Sequence, residues 1–215
     1  MNRPRVIIAD DHTLVAGACR QLLEPEFEVV AIVGDGRELL RAAASLNPHV
    51  ILIDIGMPLL NGLDAGEQIK KSLPKVRLVF LTMHTDADLA AEAFRRGASA
   101  YLPKTCAADE LKTAVRHVLR GENYMSPVME QDKDKVHFLI CQDAALVEEG
   151  QRLTGRQREV LQLLAEGKVM KEVGAILNMT PRTVAFHKYR IMEVLGARNG
   201  AQLVQHAIRH HLIAA

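Results

Sequence analysis

His49-Val50-Ile51-Leu52-Ile53-Asp54-Ile55-Gly56-Met57-Pro58-Leu59-Leu60-Asn61-Gly62 decides the fold. Aliphatic residues 50–53 read as a strand covered on both faces, as in a parallel sheet flanked by helices. The Gly, Pro and Asn-Gly that follow read as a loop at the strand's C-terminal end. In an open α/β sheet that edge is where ligands bind. Asp54 interrupts the apolar run at the edge, and a carboxylate there must be solvated, paired or bound to a cation.

Working outward, the same alternation repeats. Strands are expected at 5–9, 27–33, 76–81 and 98–102, and helices at 13–23, 37–46, 63–73, 86–96 and 109–119. Gly34-Asp35-Gly36, Asn47-Pro48, Pro74, Gly97 and Gly121 punctuate them. Five strands alternating with five helices predict a doubly wound, five-stranded parallel sheet.

Polar groups then fall at matching strand ends: Asp10 and Asp11, Asp54, Thr82 and Lys104. Three facing carboxylates repel one another and suit a hard divalent cation, and Mg²⁺ favours one or two carboxylates plus a phosphate. A hydroxyl and an ammonium opposite them suit phosphoryl oxygens. The chemistry implied is in-line phosphoryl transfer onto Asp54. Taken singly, Asp10 also reads as a helix cap and Lys104 as a solvated loop lysine.

Residues 1–122 resemble a two-component receiver domain of the flavodoxin-like fold. The matching residues are Ala9-Asp10-Asp11-His12, Asp54-Ile55-Gly56-Met57-Pro58 with Asn61-Gly62, Leu81-Thr82-Met83-His84, and Gly97-Ala98 through Tyr101-Leu102-Pro103-Lys104. The resemblance implies that Asp54 is phosphorylated from a sensor histidine kinase. It implies that Asp11, Asp54 and the Gly56 carbonyl hold Mg²⁺, with Asp10 assisting through water. Thr82 and Lys104 would bind phosphoryl oxygens, and Tyr101 would be the aromatic that swings inward. Two departures stand out: Pro103 precedes Lys104 where many receivers place Pro after it, and Met83 follows the switch threonine where many have a small residue. A bulky Met83 is expected to lengthen the phosphorylated lifetime.

The formal charge of +1 conceals an asymmetry: residues 151–215 carry ten Lys/Arg against four Asp/Glu, while residues 1–150 carry seventeen against twenty-two. A basic, helical tail suggests nucleic-acid contact by that part, although a local excess of Lys and Arg gives the same count. Cys19, Cys106 and Cys141 are odd in number and lack metal-ligand spacing, as expected of free thiols in a reducing compartment. No apolar run approaches the ~18–20 residues of a spanning helix, and a cytoplasmic protein without membrane contact is expected.

Residues 123–150 read as a partly ordered linker. Val136–Cys141 fits a short strand or a partner surface, and His137 with Cys141 has the spacing of two ligands on a helix but no second pair. Residues 151–215 predict four helices. Thr154 with Gln157 forms a capping box, Asn178 a left-handed stop, and Thr180-Pro181 an N-cap with Pro at the first helical position. Val184, Ile191 and Leu195 define the buried stripe of the third helix. Its opposite face carries basic and hydrogen-bonding side chains, a helix-turn-helix pattern. A protein-binding helical module is the alternative on pattern alone. His206, His210 and His211 read as surface or dimer-contact histidines.

This tail resembles the LuxR-type output domain of NarL/FixJ response regulators, through Leu153-Thr154, Arg158-Glu159-Val160-Leu161, Ala165-Glu166-Gly167, Lys171-Glu172-Val173, and Thr180-Pro181-Arg182-Thr183-Val184 with His187, Leu195 and Gly196. The resemblance implies DNA contact by Lys171, Thr180, Arg182, Thr183, Ala185, Phe186, His187, Lys188, Tyr189 and Arg190. Ala185-Phe186 stands where many relatives have a basic or polar residue. Base reading is thus expected to lean on Tyr189, Lys188 and apolar contact from Ala185 to a thymine methyl.

The expectation is a phosphorylation-controlled transcription regulator that binds double-stranded DNA and dimerises when active. Its only catalysis would be transfer to, and hydrolysis from, its own aspartate. The rivals are a Mg²⁺-dependent phosphohydrolase, which commonly has an acid two residues after its nucleophile where Gly56 stands, and a receiver-like scaffold that works without phosphorylation.

Overall fold

The computed structural model describes residues 3–106, 108–141 and 153–213. The chain divides into two compact units, Met1–Met57 with Gly62–Gln142, and Pro58–Asn61 with Asp143–Ala215.

In the first unit β1 (Arg5–Ala9), β2 (Glu28–Val33), β3 (Val50–Asp54), β4 (Arg77–Thr82) and β5 (Ala100–Pro103) alternate with α1 (Thr13–Leu23), α2 (Gly36–Leu46), α3 (Gly62–Ser72), α4 (Ala87–Arg95) and α5 (Ala108–Leu119). Every pairing is parallel and the strand order is β2-β1-β3-β4-β5-β6. The sixth strand, β6 (Tyr124–Met125), corrects the expected five. Tyr124 and Ser126 N–H groups donate to Ser99 and Tyr101 carbonyls, so the chain leaving α5 satisfies the open edge of β5.

Strand alternation sorts the core. Val6, Ile8, Val50, Leu52, Val79, Leu81, Ala100 and Leu102 face α1 and α5, meeting Ala16, Leu23, Leu111, Ala114, Val115 and Val118. Ile53, Leu78 and Phe80 face the other way against α3, whose Gly66 leaves room for the Phe80 ring. Burial on both faces is why these strands read as continuous apolar runs.

The expected linker is partly structured. A 3₁₀ turn (Pro127–Asp132) leads into α6 (Lys133–Cys141), so Val136–Cys141 is helical rather than extended. This helix packs on α4, with Val136 buried, Lys135 Nζ 3.2 Å from Asp88 Oδ2, and Arg95 donating to the Leu139 carbonyl at 3.2 Å. His137 Nδ1 and Cys141 Sγ lie 4.0 Å apart on α6.

The second unit holds α7 (Gly155–Ala165), α8 (Met170–Leu177), α9 (Pro181–Leu195) and α10 (Gly200–Arg209). Its core is Val160, Leu161, Leu163, Val173, Leu177, Val184, Ile191, Leu203 and Ala207. The capping box of Thr154 and Gln157 is formed. Asn178 turns left-handed at φ 54°, and Met179 N–H donates to the Gly174 carbonyl at 2.8 Å. A Cβ on Gly174 would lie 2.6 Å from the Met179 carbonyl oxygen, so the α8–α9 turn closes tightly because that residue has none. Among the described residues, no helix is long and apolar enough to cross a membrane.

Candidate phosphoacceptor site and DNA-facing helix

Parallel register brings β1, β3, β4 and β5 to one edge. Ala9 pairs with Ile53, Asp54 with Leu81, and Thr82 with Pro103, so the residues that end these strands lie side by side. The turn after Asp54 is close-packed: Gly62 N–H donates to the Ile55 carbonyl at 2.9 Å, and a Cβ on Gly62 would collide with the Asp54 carbonyl. The start of α3 therefore sits directly on the residue that ends β3.

Lys104 Nζ lies 2.9 Å from Asp10 Oδ2 and 2.9 Å from Asp54 Oδ2, and all three side chains are nearly fully buried. Lys104 N–H also donates to the Thr82 carbonyl at 2.7 Å, which anchors the loop despite Pro103 before it. Burial pushes the Asp54 carboxyl up, against the pull of Lys104 and the Gly56 N–H and with the Asp10 charge adding to the rise. Burial alone would lower Lys104, but Asp10 and Asp54 more than offset it and hold the ammonium above its ordinary range. The two partners differ in what the contact gives them because one ammonium serves two carboxylates. The site is short of positive charge.

Asp10, Asp11, His12 and Asp54 each offer a ligand atom, all within 4.8 Å of one another. His12 was not among the residues expected here. Its Nδ1 lies 2.8 Å from Asp11 Oδ1 and 3.2 Å from Asp10 Oδ1, and the signal was simply its position after the paired acids. Asp10 Oδ1 also accepts the His12 N–H at 2.8 Å, but His12 is itself the N-cap of α1 and no side chain caps that helix, so Asp10 is not the helix cap that it could be read as alone. An oxygen-rich donor set, with a lysine ammonium standing in as the cation between two of the acids, fits a hard divalent ion. Gly56 contributes an N–H to Asp54.

Thr82 is buried at the end of β4 and its Oγ1 accepts the His84 N–H at 3.0 Å. Tyr101 is fully buried, its hydroxyl donating to the His84 carbonyl at 3.0 Å, and burial pushes its phenol up. The two expected switch residues are thus tied to one another through His84. Sequence reasoning missed His84 because it acts through its backbone, which leaves no side-chain signature. Cys19 and Cys106 are free, and burial pushes both thiols up to about 11, away from thiolate chemistry.

In the second unit, α9 presents one face to the core through Val184 and Ile191. Thr180 caps it by accepting the Thr183 N–H at 3.1 Å, and Arg182 and Thr183 are exposed at its N-terminus. Phe186 and Tyr189 are 62% and 68% exposed, while Ala185, His187 and Lys188 are half-buried. Lys171 is exposed on α8. Arg190 is exposed and ion-paired with Glu193 at 2.6 Å. The His206 and His210 rings stack on α10 at 4.1 Å.

A family model for the response regulator receiver domain matches residues 6–116, and one for bacterial regulatory proteins of the luxR family matches residues 151–207. The transcriptional regulatory protein LiaR of Bacillus subtilis (strain 168) is 34% identical, over 97% of this chain and 99% of its own. RcsB of Salmonella typhimurium, solved in a study of its DNA interaction, is 26% identical with a TM-score of 0.64, over 98% of this chain and 99% of its own. A further structure, of two RcsB dimers bound to two parallel DNAs, has a TM-score of 0.57 at 26% identity, over 95% of this chain and 97% of its own. With a receiver fold in its first unit and a LuxR-type helix-turn-helix in its second, the chain belongs to the NarL/FixJ family of two-component response regulators and is a DNA-binding regulator of transcription.

Proposed function

We propose that Asp54 accepts a phosphoryl group from a sensor histidine kinase and that the resulting charge controls DNA binding. The supporting observation is that Asp10, Asp11, Asp54 and Lys104, which lie far apart in the sequence, share one sheet edge with Lys104 Nζ 2.9 Å from two of the acids. In the transfer, a bond forms between phosphorus and an Asp54 oxygen as the bond to the donor histidine nitrogen breaks, and that histidine leaves with its electron pair. Asp11 and Asp54, with Asp10 behind them and the Gly56 carbonyl, are the groups that would hold Mg²⁺. When bound, Mg²⁺ neutralises charge on the phosphoryl oxygens. Lys104 reorients from carboxylate to phosphoryl oxygen, and Thr82 takes another of those oxygens. That movement breaks the Thr82–His84–Tyr101 chain of hydrogen bonds and resets the surface around α4 and β5.

The receiver spans 1–122 in this reading, a connecting segment 123–150 and the DNA-binding domain 151–215. Thr180, Thr183, Arg182 and Lys171 position phosphates, and the outer face of α9 enters the major groove. As with the similar RcsB dimers on DNA, two copies read a pair of half-sites. The protein works in the cytoplasm, where its DNA is. Incubation with acetyl phosphate and Mg²⁺ is expected to give an acid-labile, hydroxylamine-sensitive phosphate on the chain, absent from Asp54→Asn. Label retained by Asp54→Asn would overturn the assignment.

A further inference from the structure

Of the polar residues of α9, Arg182 and Thr183 are exposed at its N-terminal end, where they can meet phosphates. Arg190 is held by Glu193, and Lys188 lines a cavity of about 360 Å³ with Leu164, Met170 and Leu203. Further along the same exposed side stand Phe186 and Tyr189, large aromatics three residues apart and therefore neighbours on one ridge, with the half-buried Ala185 beside them. Val184 and Ile191 already fill the core side of the helix, and among the described residues the ridge is no part of the core, the Phe186 ring meeting the adjacent His187 ring edge to face at 5.9 Å. It sits in a segment with ten Lys/Arg against four Asp/Glu, which complements a polyanion.

The geometry points to a thymine-reading helix: Phe186 and Tyr189 recognise the C5 methyl groups of thymines in the major groove, with Ala185 completing the apolar contact. This inference rests on the DNA-binding reading of α9 and deepens it. Of the four bases, thymine alone presents a methyl group in that groove; the others present only donors and acceptors. An arginine reading guanine would gain from hydrogen bonds, whereas an aromatic ridge gains from removing methyl and ring surface from water. The ridge also repels the wrong base, because cytosine N4 or adenine N6 pressed against it would lose water without gaining a partner.

The test uses the full chain treated with acetyl phosphate and Mg²⁺, and duplexes selected from a random double-stranded library. Each thymine of the selected duplex is replaced in turn by deoxyuridine, which differs only by the missing methyl. At one or more positions per half-site, affinity is expected to fall by about fourfold, the equivalent of one buried methyl. In Phe186→Ala or Tyr189→Ala that loss should vanish at the matching position, while Phe186→Leu keeps part of it. Both side chains are exposed, so the alanine variants should keep the parent's unfolding midpoint. Unchanged affinity at every deoxyuridine position overturns the inference and leaves DNA binding standing. A double alanine variant that binds DNA as the parent does but loses its dimer assigns the ridge to a second copy of the chain, and overturns it too. A chain that selects no sequence and binds no duplex overturns both the inference and the DNA-binding reading beneath it.

Discussion

Asp54, Lys104 and Asp10 show how charge decides the first unit's chemistry. Two buried carboxylates share one ammonium, and burial pushes the Asp54 carboxyl up despite it. A divalent cation among Asp10, Asp11 and Asp54 relieves that deficit, so Mg²⁺ should stabilise the folded chain, by about 2.7 kcal/mol at a hundredfold excess over Kd. Thermal unfolding with and without Mg²⁺ reads this directly. The rise in midpoint should shrink sharply in Asp11→Asn, and an equal rise in that variant would remove Asp11 from the site. His206 gives the second prediction at this scale. Burial, with His210 and Arg209 beside it, lowers its pKa to about 4, so the fold favours the neutral ring. The sign follows from linkage: the stabilisation is complete above the unfolded value near 6.5 and is lost as pH falls from there towards 4. The second unit's unfolding midpoint should drop across that window, and His206→Gln should flatten the drop. These acids, Thr82 and Lys104 were legible because each ends an apolar strand. The role of His84 was not, since it rests on a carbonyl and an N–H that every residue possesses.

Among the elements, alternation and punctuation gave away β1 to β5 and α1 to α5, with boundaries within a residue or two. The exception was α6. Val136-His137-Phe138-Leu139-Ile140-Cys141 is a short apolar run, and periodicity alone does not separate a short buried strand from a short helix. What makes it helical is tertiary: Val136 is covered by α4, and Lys135 and Leu139 meet Asp88 and Arg95 of that helix. β6 was missed because two residues carry no period. If packing on α4 holds α6, then Val136→Asp should undo it, because an unpaired charge does not stay buried there. Hydrogen exchange across 133–141 should rise at least about tenfold, with β3 and β4 unaffected. Unchanged protection would show that α6 holds itself.

For the molecule as a whole, the informative number is the charge difference between its halves rather than the total of +1. The basic tail attracts the phosphate backbone, and binding should weaken steeply as salt is raised. Arg182 is exposed at the α9 N-terminus, so Arg182→Gln should lower affinity for all sequences alike and reduce the salt slope by about 1. A sequence-dependent loss, measured on selected and scrambled duplexes, would make Arg182 a reader of bases instead. Family-level resemblance carried the two-domain reading, and helical spacing gave the buried and outer faces of α9. The buried stripe of Val184, Ile191 and Leu195 already put Tyr189 on the opposite face; what the structure adds is that Phe186 stands exposed beside it while His187 and Lys188 are half-buried.

The lysine between the two acids has one more consequence. At rest, the group best suited to grip an incoming anion is already clasped by the protein's own side chains, like a latch held shut by its keeper. If Lys104 is the group that grips the phosphoryl oxygens, a chance encounter with phosphate would find no open hand. On the proposed function, a phosphoryl group that comes with its own counter-cation would free Lys104, and activation would then demand two visitors at once.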